Sequence, residues 1–151
     1  ASTTIPTIWP NIFFMTKKET ISMEAIHQAL QRKNARLTVL LSDSCNKFGS
    51  SPPSVARAFV RPQTIKVSFS ARKRGLQKLF RKNKGRVLAS GAIRGTPSYG
   101  SDYGGFFTQA LLISLKAEAK ASNPSWKRVF LKVNKLLKHA QQPQFKLFLK
   151  D

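Results

Sequence analysis

Acidic residues are scarce in this chain. Six Asp and Glu stand against 27 Lys and Arg among 151 residues, a formal net charge of +21. A surface of that sign attracts polyanions and binds them in a salt-dependent way, so nucleic acid is a candidate partner. Cysteine is nearly absent: the single Cys45 excludes an internal disulfide and is compatible with a reducing, cytoplasmic setting. No apolar run reaches the roughly 18 residues that a membrane span needs, so no membrane role is expected. The N-terminus, "ASTTIPTIWPNIFF", has neither a basic start nor a long apolar centre and does not read as a signal peptide. It also lacks an initiator Met, which points to processing or to a start within a longer protein. No group of His, Cys, Asp and Glu has metal-ligand spacing, so no metal is expected. "GAIRGTPSYG" contains glycines without the spacing or the Lys of a phosphate-binding loop. No internal repeat is visible.

What is there suits a folded domain. The hydrophobic fraction is 41%, with eleven Phe and two Trp, and the length allows one domain with a real core. Residues 4 to 15 hold β-formers interrupted by Pro6 and Pro10, an edge or irregular strand. Ser22 reads as a helix cap, and Met23, Ile26 and Leu30 at spacings of three and four predict a helix over 22–34. "RLTVLLSD", directly after, is the continuous apolar run of a strand covered on both faces. Gly49, Ser50, Ser51, Pro52, Pro53 and Pro62 make 46–70 a long loop, with one short strand near "TIKVSF". A basic helix over 71–83 should turn Leu76, Leu79 and Phe80 inward; "RVLASGA", 86–92, is the next strand. A turn-rich segment leads to a helix over 105–120 with Phe107, Ala110, Leu111, Ser114 and Leu115 on one face. The last helix, 125–139, carries the stripe Trp126, Val129, Phe130, Val133, Leu136, Leu137 and Ala140, with Ser122 or Ser125 as its cap. "QQPQFKLFLKD" adds a final extended piece. Strands alternating with helices predict an α/β fold, a mostly parallel sheet with helices on both faces.

In such sheets chemistry gathers where strands end. One strand ends at Asp43-Ser44-Cys45 and another at Ser90-Gly91-Ala92; as parallel neighbours their ends would form one cleft. Taken singly, Cys45 reads as a small buried hydrophobe, Asp43 as a turn residue or helix cap, and Asp102 as a loop acid.

Together these stretches resemble a known family. "ARLTVLLSDSCN" is similar to the nucleophile strand of caspase-like and metacaspase cysteine peptidases, with an Asp, a small residue and the Cys at its end. "RVLASGA" resembles that family's next strand, and "GGFFTQALLISL" the Gly-Gly, aromatic and Thr that lead into its helix. "WPNIFF" and "PSWKRVFLKVN…QQPQ" fit as well, so the resemblance covers about residues 8 to 145. It implies a three-layer sandwich and a single, partial caspase-like domain over 1–151 whose N-terminal strands are missing. It implies Cys45 as the nucleophile, with Asp43 binding Arg or Lys of a peptide or protein substrate. Ser90 and Gly91 would line the pocket, with Asp102 at its rim, and no cofactor is needed.

The pattern breaks at the base. The family takes the thiol proton with a His in a His-Gly pair, and this chain has none. Its two histidines, His27 and His139, read as solvated or helix-end residues. The family's calcium-binding acids are not evident either; Arg94 and Gly95 stand where metacaspases often carry acids. Three expectations follow: a peptidase domain completed by its own N-terminal fragment or another subunit, an inactive caspase-like domain, or a basic scaffold that binds nucleic acid or an acidic partner. In the first, missing strands would leave a sheet edge exposed.

Overall fold

A computed structural model describes residues 12–14, 20–44, 69–101 and 104–150 of the chain. Cys45, Asp102 and most of the expected 46–70 loop, including the strand near "TIKVSF", lie outside them. Strand β1 (Ile12–Phe14) pairs antiparallel with β2 (Thr20–Ser22). Helix α1 (Met23–Gln31) follows at once, and the Ser22 side chain accepts the Ala25 N–H as the expected cap. Strand β3 (Leu37–Ser42) is the anticipated apolar run. Helix α2 (Phe69–Gln77) begins inside the segment expected to be loop and passes into a π-helical stretch, Lys78–Lys82.

That stretch is held by side chains that take its carbonyls. Trp126 Nε1 and Asn83 Nδ2 both donate to the Leu79 oxygen, and the Arg36 guanidinium donates to the Phe80 and Asn83 oxygens. Strand β4 spans Lys84–Ser90, two residues earlier than the apolar pattern suggests. The short β5 (Gly100–Ser101) and β6 (Gly104–Gly105) pair with each other. Then come α3 (Phe106–Glu118), α4 (Trp126–Leu137) and β7 (Gln144–Lys150).

The main sheet has the order β3-β4-β7. β3 and β4 are parallel, from Leu37 opposite Gly85 to Ser42 opposite Ser90, whereas β7 returns antiparallel to β4. Among the described residues the sheet thus has one parallel and one antiparallel pair, where the sequence led us to expect a mostly parallel sheet. The short turn after α4 leaves β7 at the carboxyl end of β4, from which it can only run back. Alternation in β4 divides its side chains between the faces. Val87 and Ala89 join the larger cluster with Leu79, Phe107, Trp126 and Val133, while Leu88 meets Met23 of α1, Leu40 and Phe148. The expected stripe of α4 is buried at Trp126, Val129, Phe130, Val133 and Leu137, each worth about 1.5–3 kcal/mol in removed apolar surface. Leu136 and Phe80, both expected to face inward, are 38% and 39% exposed. Phe80 makes an edge-on contact with Trp126.

Acids in this basic chain are used sparingly inside. Glu118, buried at the end of α3, accepts from Arg128 Nε at 2.7 Å, Lys132 Nζ at 3.0 Å and the Ser125 N–H at 3.0 Å. Burial would push its carboxyl up, but the bonds from Lys132, Ser125 and Arg128 outweigh it and hold the group below the ordinary glutamate range. Ser125 occupies the cap position of α4, as expected, but contributes its backbone N–H rather than its hydroxyl.

His27 departs from expectation. It is buried rather than solvated, and neither ring nitrogen has a partner among the described residues. It lies one turn beyond Met23 on the face of α1 turned to the sheet. Burial first, then the Arg86 charge, hold the imidazole below its ordinary value of 6.5, against a smaller opposing effect of Glu24. The unfolded chain therefore gains a proton near pH 6.5 that the folded chain refuses, and stability falls as pH drops through that value. His27→Leu removes the unpaired nitrogens and the titration together. It should stabilise the protein by about 1 kcal/mol at pH 8 and by more at pH 5, in thermal denaturation. An equal gain at both pH values would contradict this account.

Candidate active site

The parallel pairing of β3 and β4 brings their carboxyl ends together. Ser42 lies opposite Ser90, and the Gly91 N–H donates to the Ser42 oxygen at 2.8 Å. Just beyond, Asp43 receives three neutral donors. Its Oδ1 accepts from Ser98 Oγ at 2.8 Å; its Oδ2 accepts from the Thr108 N–H at 2.9 Å and from Thr108 Oγ1 at 2.7 Å. Thr108 is the third residue of α3, whose cap position is Gly105 and has no side chain to offer. The helix thus takes its cap from a carboxylate 65 residues earlier, which also meets the positive end of the helix dipole.

Two glycines make room for that carboxylate. A Cβ on Gly105 would collide with the Asp43 side chain, and one on Gly91 would fall within 3.0 Å of Ser98 Oγ, Asp43 Oδ1 and Phe107. Asp43 and Gly91 are therefore brought into contact. Ser90, fully buried, turns its hydroxyl onto its own turn, donating to the Ala92 oxygen at 3.0 Å. Cys45 follows Asp43 by two positions, and Asp102 falls in the short link between β5 and β6; the described residues stop short of both.

Gln141, like Ser98 and Thr108, is a member of this site with no role assigned from the sequence. Buried in the turn before β7, its Nε2 donates to the Gly91 oxygen at 2.8 Å and to Ser98 Oγ at 3.3 Å, and its Oε1 accepts the Tyr99 N–H at 3.0 Å. The chain Gln141–Ser98–Asp43 links the last turn of the protein to the end of β3. Its sequence signal was its place at the start of "QQPQ", a stretch that fits the family resemblance without assigning this residue a role.

Neither histidine is paired with this site. His27 feels Arg86, which sits opposite Thr38, four positions back along the strands from Ser42 and Ser90. His139 is exposed, on the turn two residues before Gln141. Among the described residues no three His, Cys, Asp or Glu side chains gather as a metal site. No described helix is long and apolar enough to cross a membrane.

The tie makes a measurable demand. Asp43→Ala leaves the Thr108 N–H and the Ser98 and Thr108 hydroxyls without their acceptor and should cost about 2–3 kcal/mol in chemical denaturation. Gly105→Ala should destabilise as well, and much less in an Asp43→Ala background, because the collision is with the carboxylate. Additive losses in the double variant would show that the Gly105 contact lies elsewhere.

The family model for the caspase domain, Peptidase C14, matches residues 10–151. No curated protein and no solved structure matches the chain. The match spans the Asp43 strand, the Gly91 turn, α3 and the Gln141 turn alike, and the chain belongs to the caspase-domain family.

Proposed function

We propose that this chain carries the thiol of a cysteine endopeptidase that cuts after Arg or Lys. The observation that supports it is the position of Asp43: just past the carboxyl end of β3, beside the Gly91 turn, two residues before Cys45. In this reading Cys45 gives its proton to a His supplied by a separate N-terminal segment or another subunit. The thiolate adds to the scissile carbonyl, the amine leaves with a proton, and water hydrolyses the thioester. Asp43 draws the substrate's cation, with Ser90 and Gly91 walling the pocket and Asp102 at its edge. The domain is then a caspase-like three-layer sandwich whose preceding strands complete the sheet beside β3. No cofactor takes part.

The hydrogen bonds of Asp43 refine the specificity. A carboxylate offers about four lone-pair directions, and three are engaged. One remains, so a guanidinium gains a single charge-assisted bond and loses its bidentate advantage over an ammonium. The complete gene product, tested on a panel of fluorogenic peptides, should cleave after Arg and Lys at comparable rates. It should prefer both over Asp by roughly 10- to 100-fold in kcat/KM, the value of one charged hydrogen bond. Cys45→Ala should abolish cleavage and His139→Ala should not. Equal cleavage after Asp and Arg would end the specificity claim; loss of activity in His139→Ala would place the base on this chain. Failure of an Arg-directed electrophile to label Cys45 would favour an inactive domain.

A second reading rests on charge. Lys73, Arg74, Lys78, Arg81 and Lys82 crowd one exposed segment without an acid, which suits a scaffold that binds nucleic acid. It requires duplex binding with a steep salt dependence, unchanged by Cys45→Ala; no binding at low salt would remove it.

A further inference from the structure

The far half of α3 forms a second feature, away from Asp43. Gly75 lets the backbone of α2 come against the Ala119 carbonyl, where a Cβ would collide. Beside this crossing lies a groove of about 590 Å³ with a floor of Leu76, Phe80, Leu112 and Leu115 and with Lys73 and Lys116 along it. Phe80 is 39% and Leu112 50% exposed, so apolar surface is left in water at the groove's edge. Neither lysine has an ion-pair partner among the described residues; the two ion pairs there belong to Arg128 and Lys132.

Shape and charge choose among occupants. The wall from Leu112 to Ala119 is about 10 Å long at 1.5 Å per residue, the span of positions i to i+7 on a second helix. Beside the two lysines the lining carries a single polar side chain, Gln77, too few donors and acceptors to read a run of base edges. The chain's own segment 46–68 carries Lys47, Arg57, Arg61 and Lys66 and no acid, so it repels the lysines. A second copy, also at +21, repels as a whole. A bilayer is flat where this surface is concave. We propose that the groove docks an acidic amphipathic helix of a partner protein. Apolar side chains at i, i+3 or i+4, and i+7 enter the floor, and flanking carboxylates face Lys73 and Lys116. The site is independent of the peptidase reading.

The test uses a fluorescent helical peptide of about four turns, with Leu at those positions and Glu elsewhere, and a control of the same composition with the leucines scattered. Anisotropy titrations with the full chain should show the control bound at least about tenfold more weakly than the striped peptide. Leu112→Glu, at a half-exposed position, should weaken the striped peptide about tenfold, as should Lys73→Glu with Lys116→Glu. Circular dichroism checks the fold of each; the lysine pair, fully on the surface, keeps the test alive if Leu112→Glu misfolds. Equal binding of both peptides, or of wild type and variants, overturns the proposal in favour of general charge attraction. Absence of peptide binding with groove-dependent binding to phosphatidylglycerol vesicles assigns the groove to lipid and overturns it. So does a concentration-dependent dimer that Leu112→Glu dissolves.

Discussion

The carboxylate of Asp43 is the point on which the carboxyl end of the sheet depends. It is one of six acids in a chain with 27 cations, yet the three groups described as donating to it, from Ser98 and Thr108, are all neutral. Ser98 and Thr108 belong to segments 55 and 65 residues further on. Their bonds to one side chain fix the end of β3, the loop before β5 and the first turn of α3 relative to one another. The glycines at 91 and 105 follow from this choice, since any side chain would occupy the volume the carboxylate needs. Gln141 extends the same network to the turn before β7 by holding both the Gly91 oxygen and Ser98. A polar network of this kind stabilises only when its members are satisfied, and the three bonds meet that condition.

The elements that could be read from the sequence are those whose signal is local. The stripe of α4 and the Ser22 cap of α1 depend on residues within a few positions of each other, and both appear where the pattern put them. The apolar run from Leu37 gives β3 for the same reason. The direction of β7 was not legible, because strand orientation depends on where the preceding turn delivers the chain rather than on the strand's own residues. Phe80 and Leu136 show the limit of helical periodicity: it fixes a face but not the width of the arc that a neighbour covers. His27 shows another: four positions after Met23 and three before Leu30 it shares their face, and a polar residue at such a position is buried with it.

The candidate site divides in the same way. Asp43, Ser90 and Gly91 were marked by their position at strand ends, and the parallel register does bring Asp43 and Gly91 together. The partners of Asp43 were not legible, because Ser98 and Thr108 carry no local mark of a bond to a residue so far back. Both plain readings and family readings of Asp43 remain compatible with its geometry: it caps a helix, from a distance, and keeps one lone-pair direction for something else. A family motif and a structural tie are not alternatives when one carboxylate has four acceptor sites.

Charge sets what remains. Glu118 takes up Arg128 and Lys132 at the margin of α3 and α4, so two cations share one counter-charge where they pack. The cations of α2 and of the π-helical stretch have no such acid nearby in sequence, and they stand in water beside an apolar groove. With 27 cations against six acids, the surface carries a large positive excess. Attraction to any polyanion then follows from composition alone and carries little specificity. Selectivity must come from places where charge is combined with shape, and under the two proposals these are the remaining lone-pair direction of Asp43 and the lysine-flanked leucines of the groove.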